Sequence, residues 1–284
     1  MKSVNELIDL LTLEKIEENL FRGQSHSLGS KRVFGGQVLA QALQAAYETV
    51  DLSRTVHSLH CYFVLPGDIE RPIVFEVETI RDGGSFSTRR VKAIQRGKAI
   101  FFMSASFHLD EHGFSHQIPM DSVAQPDDLI SWKEIVEKFS DFLPQGIKKF
   151  LSVDHPFTFK PVELFDPTAE GQRPIRNVWM RSIGDVPNDQ RIQQAVLAYA
   201  SDYNLLTTAL LPHGKRAYAS DMQMASLDHA MWFHRPFQAD EWLLYSIDSP
   251  SASGARGFTR GNIYNLRGDL VASVAQEGLI RPGS

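Results

Sequence analysis

The sequence has almost no cysteine: Cys61 is the single one among 284 residues. That excludes an internal disulfide and fits a reducing compartment. Its setting, from Leu59 to Val64, is strand-like and apolar, which suits an inert core thiol better than a nucleophile. No apolar run is long enough to span a bilayer. A strong charge of one sign is missing too. The formal net charge is −5, and basic residues such as Arg89-Arg90 and Lys148-Lys149 come in pairs rather than blocks, which argues against nucleic acid as a partner. The stretch Met1 to Leu11 is an amphipathic helix without a signal-peptide core, and Arg281-Pro282-Gly283-Ser284 is no Ser-Lys-Leu-type peroxisomal address. The expectation is a soluble cytoplasmic protein. Hydrophobic residues make up 43%, enough for a real core, and the length allows one large domain or two medium ones.

Familiar catalytic signatures are absent as well. Gly83-Gly84-Ser85-Phe86-Ser87 comes nearest to a Gly-x-Ser-x-Gly elbow and fails at its last position, so it reads as a turn entering a strand. Gly35-Gly36 lacks the spacing of a dinucleotide fingerprint, and no phosphate loop occurs. His108, His112 and His116 are evenly spaced, but Gly113 lies among them and a solvated loop is the better reading. His57 and His60 would point to opposite faces of a straight strand. His229 and His234 flank a strand end, where each could meet a ligand or satisfy a carbonyl. No metal or other cofactor is implied.

What the chain does contain is a repeat. A helix rich in alanine, Gly35–Tyr47, is followed by four strand-like runs at about Val56–Leu65, Pro72–Arg81, Ser85–Gln95 and Ala99–Leu109. A second helix, Asp189–Leu206, is followed by four more at about Met222–Phe233, Glu241–Ser249, Arg256–Tyr264 and Leu270–Gly278. The turns Arg96-Gly97 and Arg267-Gly268 share an offset of 171 residues with Thr88-Arg89 and Thr259-Arg260. Strand-like segments also precede each helix, at Glu18–Gly23 in one half and at Lys160–Phe165 and Asn177–Ser182 in the other. Helices apolar over much of their circumference need wrapping, and a curved sheet of hairpin-linked strands can wrap them. The intervening stretch, with Gly113, Pro119, Pro126 and Pro144 around one helical piece at Ser131–Phe142, reads as a connection. The fold class is thus α+β. The expected units are 1–109, a linker at 110–157, and 158–284 bearing the chemistry.

Within the second helix, Ile192, Ala195, Val196, Tyr199 and Tyr203 form an apolar stripe, with Asn188 or Asp189 as cap. Asp202 projects from that stripe. Burial and the helix C-terminus both disfavour its charge, which raises its pKa toward a value useful to a general base. A local cap or hydrogen bond explains the same residue. Ser226 and Gln276 are polar positions on strands otherwise suited to burial. Three such groups in one half invite mutual hydrogen bonding and could hold a water, although each alone also reads as an ordinary core or strand-end residue.

The segments VFGGQVLAQAL (33–43), HSLHCYFVLPGD (57–68), LAYASDYNLL (197–206), LDHAMWFHRPF (227–237) and VASVAQEGLIR (271–281) resemble acyl-CoA thioesterase II, the TesB-type double-hotdog enzymes, and the likeness runs almost end to end. It implies two hotdog units in tandem, each a sheet around a long helix. It also implies that an Asp, a Thr and a Gln activate water for direct attack on a thioester, without an acyl-enzyme. By motif these fall on Asp202, Ser226 and Gln276, with serine in place of the usual threonine. Serine keeps the hydroxyl and loses the methyl that stiffens χ1. The resemblance implies fatty acyl-CoA as substrate, CoA as product, and a homodimer or homotetramer.

Further substrate-binding candidates are Gly35 and Gly36, whose helix-start amides could receive the thioester oxygen or whose small size could simply allow close packing. Arg235, Arg256 and Arg260 are candidates for the CoA phosphates, with structural roles as the alternative. A hotdog enoyl-CoA hydratase would need Asp228 and His229 together, yet neighbours on a strand face opposite ways. A non-catalytic acyl-CoA-binding module is the third reading, and retention of Asp202 and Gln276 argues against it.

Overall fold

The computed structural model describes residues 1–283 apart from 142, 144–147, 149–150, 167–168 and 220. The first half contains α1 (Val4–Leu11), β1 (Glu14–Glu17), β2 (Leu20–Gly23), α2 (Gly35–Tyr47), β3 (Arg54–Phe63), β4 (Ile73–Asp82), β5 (Phe86–Gln95) and β6 (Lys98–Leu109). The second contains α3 (Trp132–Phe139), β7 (Phe157–Pro161), β8 (Ile175–Ser182), α4 (Gln190–Ser201), α5 (Leu205–Thr208), β9 (Gln223–Ser226), β10 (Asp228–Phe233), β11 (Leu243–Ser253), β12 (Arg256–Asn265) and β13 (Leu270–Arg281). Among the described residues the strands form one antiparallel sheet in the order β1-β2-β4-β5-β6-β3-β10-β13-β12-β11-β8-β7, with β9 added on β13. The two halves mirror each other about the β3–β10 seam, where Cys61 faces His229 and Leu59 faces Met231. This is the double-hotdog arrangement: one curved sheet around two long helices.

The helices explain the curvature. In α2 every residue from Gly36 to Ala46 is buried except Gln44, and α4 is buried from Gln193 to Ser201. Alanine-rich faces let the two pack against each other, and at Gly36 they leave no room for a side chain: a Cβ there would lie 2.4 Å from the Tyr199 carbonyl oxygen. Asp189, rather than Asn188, caps α4 through a 2.9 Å bond from the Arg191 amide.

Three expectations need correction. The single helix Asp189–Leu206 is in fact two, because Asn204 adopts a left-handed conformation (φ 66°) that ends α4 and starts α5. The run Met222–Phe233 is likewise broken at Leu227 into β9 and β10. The matching Thr-Arg pairs, although 171 residues apart like the turns, point opposite ways: Arg89 faces the interior and Thr88 outward, whereas Thr259 faces in and Arg260 out. The β12–β13 hairpin, where Asn265 pairs with Asp269, is one residue longer than the β5–β6 hairpin, where Gln95 pairs with Lys98, and one residue of slip exchanges the faces. A bulge at Val56/Ser58 also puts His57 on the outer face with His60: His57 bonds the Ser106 hydroxyl at 2.8 Å and His60 packs on Trp232.

The connecting stretch covers the outer face of the second half. Met120, Val123 and Leu129 pack over Trp179, Trp242, Leu244 and Tyr264, and Trp179 donates to the Ala124 carbonyl at 2.9 Å. The expected helical piece Ser131–Phe142 is α3, started by a Ser131/Glu134 capping box and stacked on β7 through Trp132 and Phe159. Its last position, like Pro144, lies outside the described residues. Among the described residues no helix is long and apolar enough to cross a membrane.

Candidate active site

Asp202 is the C-cap of α4. From there its carboxylate reaches the first turn of α2, where the Gly36 amide donates to Oδ2 at 2.9 Å. The end of one helix thus meets the start of the other. The negative end of its own helix disfavours the charge, while the positive end of α2 compensates. Gln276 on β13 completes the hold: its Nε2 donates to Asp202 Oδ1 at 3.1 Å and to Ser226 Oγ at 2.7 Å. Because both amide hydrogens are used, the orientation of Gln276 is fixed by its neighbours. Gln276 is only 1% exposed. Ser226 and Asp202 remain half-buried.

The structure therefore brings Asp202, Ser226 and Gln276 into one hydrogen-bonded cluster from a helix end and two strands. Desolvation raises the Asp202 pKa, and the bonds from Gln276 and Gly36 offset part of that rise. Ser226 Oγ accepts from Gln276, so its own proton can be donated to a third oxygen. The cluster borders a cleft of about 300 Å³ whose wall includes Gly35, Ser226, Val38, Phe63, Leu65, Ile100 and Phe101.

Other candidates land elsewhere. Packing demands Gly36, where a Cβ would meet the Tyr199 carbonyl, while a Cβ at Gly35 would meet side chains only, 2.8 Å from Asp202 Oδ2 and 3.1 Å from the Phe63 ring. The Gly36 amide is engaged by Asp202 and does not face the cleft as a second open donor. None of the three expected arginines lines the cleft. Arg260 is bidentate with Asp248 at 2.8 and 2.9 Å, Arg256 pairs with Glu277 at 2.9 Å, and Arg235 donates to the Leu270 carbonyl at 2.9 Å. Opposing carboxylates and carbonyls on neighbouring strands, invisible in the sequence, hold them in place.

His229 is wholly buried beside the cluster. It meets the Ser201 hydroxyl at 3.0 Å, and desolvation lowers its pKa to about 3. Ser201 precedes Asp202, and its carbonyl accepts from the Tyr245 hydroxyl at 3.0 Å. This support for the α4 terminus was missed from sequence, where an inward histidine on an alternating strand was its only trace. Asp228 faces the other way and accepts from the Glu277 amide at 2.7 Å, so Asp228 and His229 do not converge. His234 bonds Ser273. Among the described residues no group of three or more His, Cys, Asp or Glu side chains is placed to hold a metal.

Comparisons with known proteins match the chain to one family. A family model described as acyl-CoA thioesterase matches residues 147–279, and one for the acyl-CoA thioesterase N-terminal domain matches residues 23–108. Acyl-CoA thioesterase 2 of Haemophilus influenzae is 42% identical over 279 residues, covering 98% of each chain. The crystal structure of the acyl-CoA thioesterase II TesB2 from Mycobacterium marinum superposes with a TM-score of 0.80 at 41% identity, covering 97% of this chain and 98% of that one. A hot dog fold protein of unknown function from Alicyclobacillus acidocaldarius gives the same TM-score of 0.80 at 18% identity, covering 98% of this chain and 99% of that one, which speaks to fold alone.

Proposed function

The chain belongs to the acyl-CoA thioesterase family and hydrolyses acyl-CoA to the free acid and CoA, and we propose that it does so by direct attack of a water held at Asp202, Ser226 and Gln276. The observation that supports this reading is the double donation by Gln276, which locks a carboxylate and a hydroxyl at one small site. A water placed there donates one hydrogen to Asp202 and accepts from the Ser226 hydroxyl. As its oxygen attacks the thioester carbon, its proton passes to Asp202. Collapse of the tetrahedral adduct breaks the C–S bond, and the thiolate leaves with that proton. The Gly35 amide, at the start of α2 and on the cleft wall, is the proposed donor to the carbonyl oxygen. The Gly36 amide has the separate task of steadying Asp202.

The apolar wall of the cleft suits a fatty acyl chain, which supports a role in lipid metabolism. The buried Cys61 accords with a cytoplasmic setting. Residues 1–109 and 158–284 act as two hotdog units joined by 110–157. Association into a homodimer or homotetramer would use the outer face of the first half, where Tyr62 (64% exposed) and Phe102 (39% exposed) are cross-strand partners.

The test is single turnover in ¹⁸O-water with intact-protein mass measured during the reaction. Direct attack puts the label in the fatty acid and leaves the protein mass unchanged. An acyl adduct on Ser226 would overturn the mechanism.

A further inference from the structure

The cleft wall carries little charge. Among the described residues Arg32 is its one charged side chain, in a wall otherwise built from residues such as Val33, Phe63, Leu65, Ile100 and Phe101. Arg32 is exposed and makes no ion pair among the described residues. The carboxylate nearest along its backbone bridge, Asp68, is already taken by Arg96 at 2.6 Å and Arg71 at 3.7 Å. An arginine at the mouth of an apolar cleft, with its local acid spent elsewhere, lacks a counterion.

Its surroundings are positive as well. The segment Gln24–Phe34 holds His26, Lys31 and Arg32 and no Asp or Glu, in a chain whose net charge is −5. The segment is folded by its own bonds: Gly29 turns with φ 81°, Ser27 Oγ donates to the Ser30 carbonyl at 2.9 Å, and the Arg32 amide donates to Ser30 Oγ at 3.1 Å. The Val33 amide then donates to the Gly67 carbonyl at 3.0 Å, which fixes the base of the Arg32 side chain to the β3–β4 connection. Only Val33 and Phe34 lie between Arg32 and Gly35, so their backbones are at most about 11 Å apart.

We propose that Arg32, with Lys31 beside it, receives the phosphate groups of the CoA moiety, in place of Arg235, Arg256 and Arg260. The inference rests on the hydrolase reading above. An arginine fork matches phosphate oxygens bidentately, whereas Lys31 adds a point charge. The anion enters a positive rim on a negatively charged protein, and the acyl-pantetheine end lies along the apolar wall toward Asp202.

The experiment compares two thioesters with the same acyl group, one of CoA and one of N-acetylcysteamine, which has no phosphate. R32Q is expected to raise KM for the CoA ester about tenfold, with kcat little changed. KM for the N-acetylcysteamine ester should stay within twofold, and R32K should recover part of the loss. KM for the CoA ester in the unaltered protein should rise with salt, more weakly in R32Q. An unchanged KM in R32Q overturns the placement, as does a rise for both esters alike or a rise in R256Q or R260Q alone. D202N separates the two readings: if it hydrolyses both esters at full rate, the hydrolase mechanism fails first.

Discussion

Asp202 and Gly36 lie 166 residues apart and are joined by one hydrogen bond of 2.9 Å. The bond ties the C-terminal end of α4 to the N-terminal end of α2, so it fixes both the carboxylate and the relative position of the helices. Several measurable properties depend on it.

Replacing Asp202 with Asn should lower kcat by about 10²–10⁴, the usual worth of a positioned general base. Burial raises the pKa of this carboxyl, and the base must be ionised to act. The acid limb of the kcat/KM profile should therefore lie above the ordinary carboxylate value of about 3.9. The sign for stability is opposite. The folded state keeps this proton to higher pH than the unfolded chain, so this group favours folding at low pH and ceases to as pH rises through its folded value. Thiol release followed from pH 4 to 9 checks the limb, and a profile flat on its acid side would remove Asp202 from the role.

Adding a single methyl at Gly35 should act on chemistry more than on folding. Its Cβ would stand 2.8 Å from Asp202 Oδ2, against a side chain that can swing away. G35A should lower kcat by about 10²-fold, the scale of a 1 Å misplacement. KM and thermal midpoint should change little. Loss of stability without loss of kcat would assign the glycine to packing alone.

Ser226 offers a test in the favourable direction. S226A removes the hydroxyl that takes a 2.7 Å bond from Gln276 and should cost about tenfold or more in kcat. S226T keeps the hydroxyl and restricts its rotamers, so its kcat should equal or exceed that of the parent. A slower S226T would show that the site has no room for the methyl.

His229 predicts a pH dependence of stability. Its pKa falls from 6.5 to about 3 on folding. Below the unfolded value the unfolded chain binds a proton that the folded chain refuses. Stability is then lost as pH drops, by about 1.4 kcal/mol per unit across that window. Urea unfolding at pH 7, 6 and 5 should show the slope in the parent and a shallower one in H229Q, and equal slopes would sink the assignment.

Much of the fold is legible because it rests on local pattern: alanine-rich helices, hairpin turns, and alternation in the strands. Asp202 stood out as an acid on an apolar stripe, and Gln276 as an amide on an apolar strand. Register was less legible. The Thr88 and Thr259 pairs look equivalent in sequence, but one extra residue in the β12–β13 hairpin turns them to opposite faces. Asn204 ends α4 through a backbone angle that an asparagine tolerates but does not announce. The arginines were hardest, since the fate of Arg260 depends on Asp248 across a strand and that of Arg32 on Asp68 being already engaged. Long-range pairing decides which cation is free, and a one-dimensional reading has no access to it.

The seam between β3 and β10 has a consequence for how the chain behaves when scarce. Gly36 lies in the first half and Asp202, Ser226 and Gln276 in the second, so under the proposed mechanism neither half would be chemically competent by itself. Because a peptide connection replaces a diffusive encounter between those pieces, the reacting assembly is present at any dilution. Each half can also carry its own substitutions, since an alteration in one leaves the other unchanged.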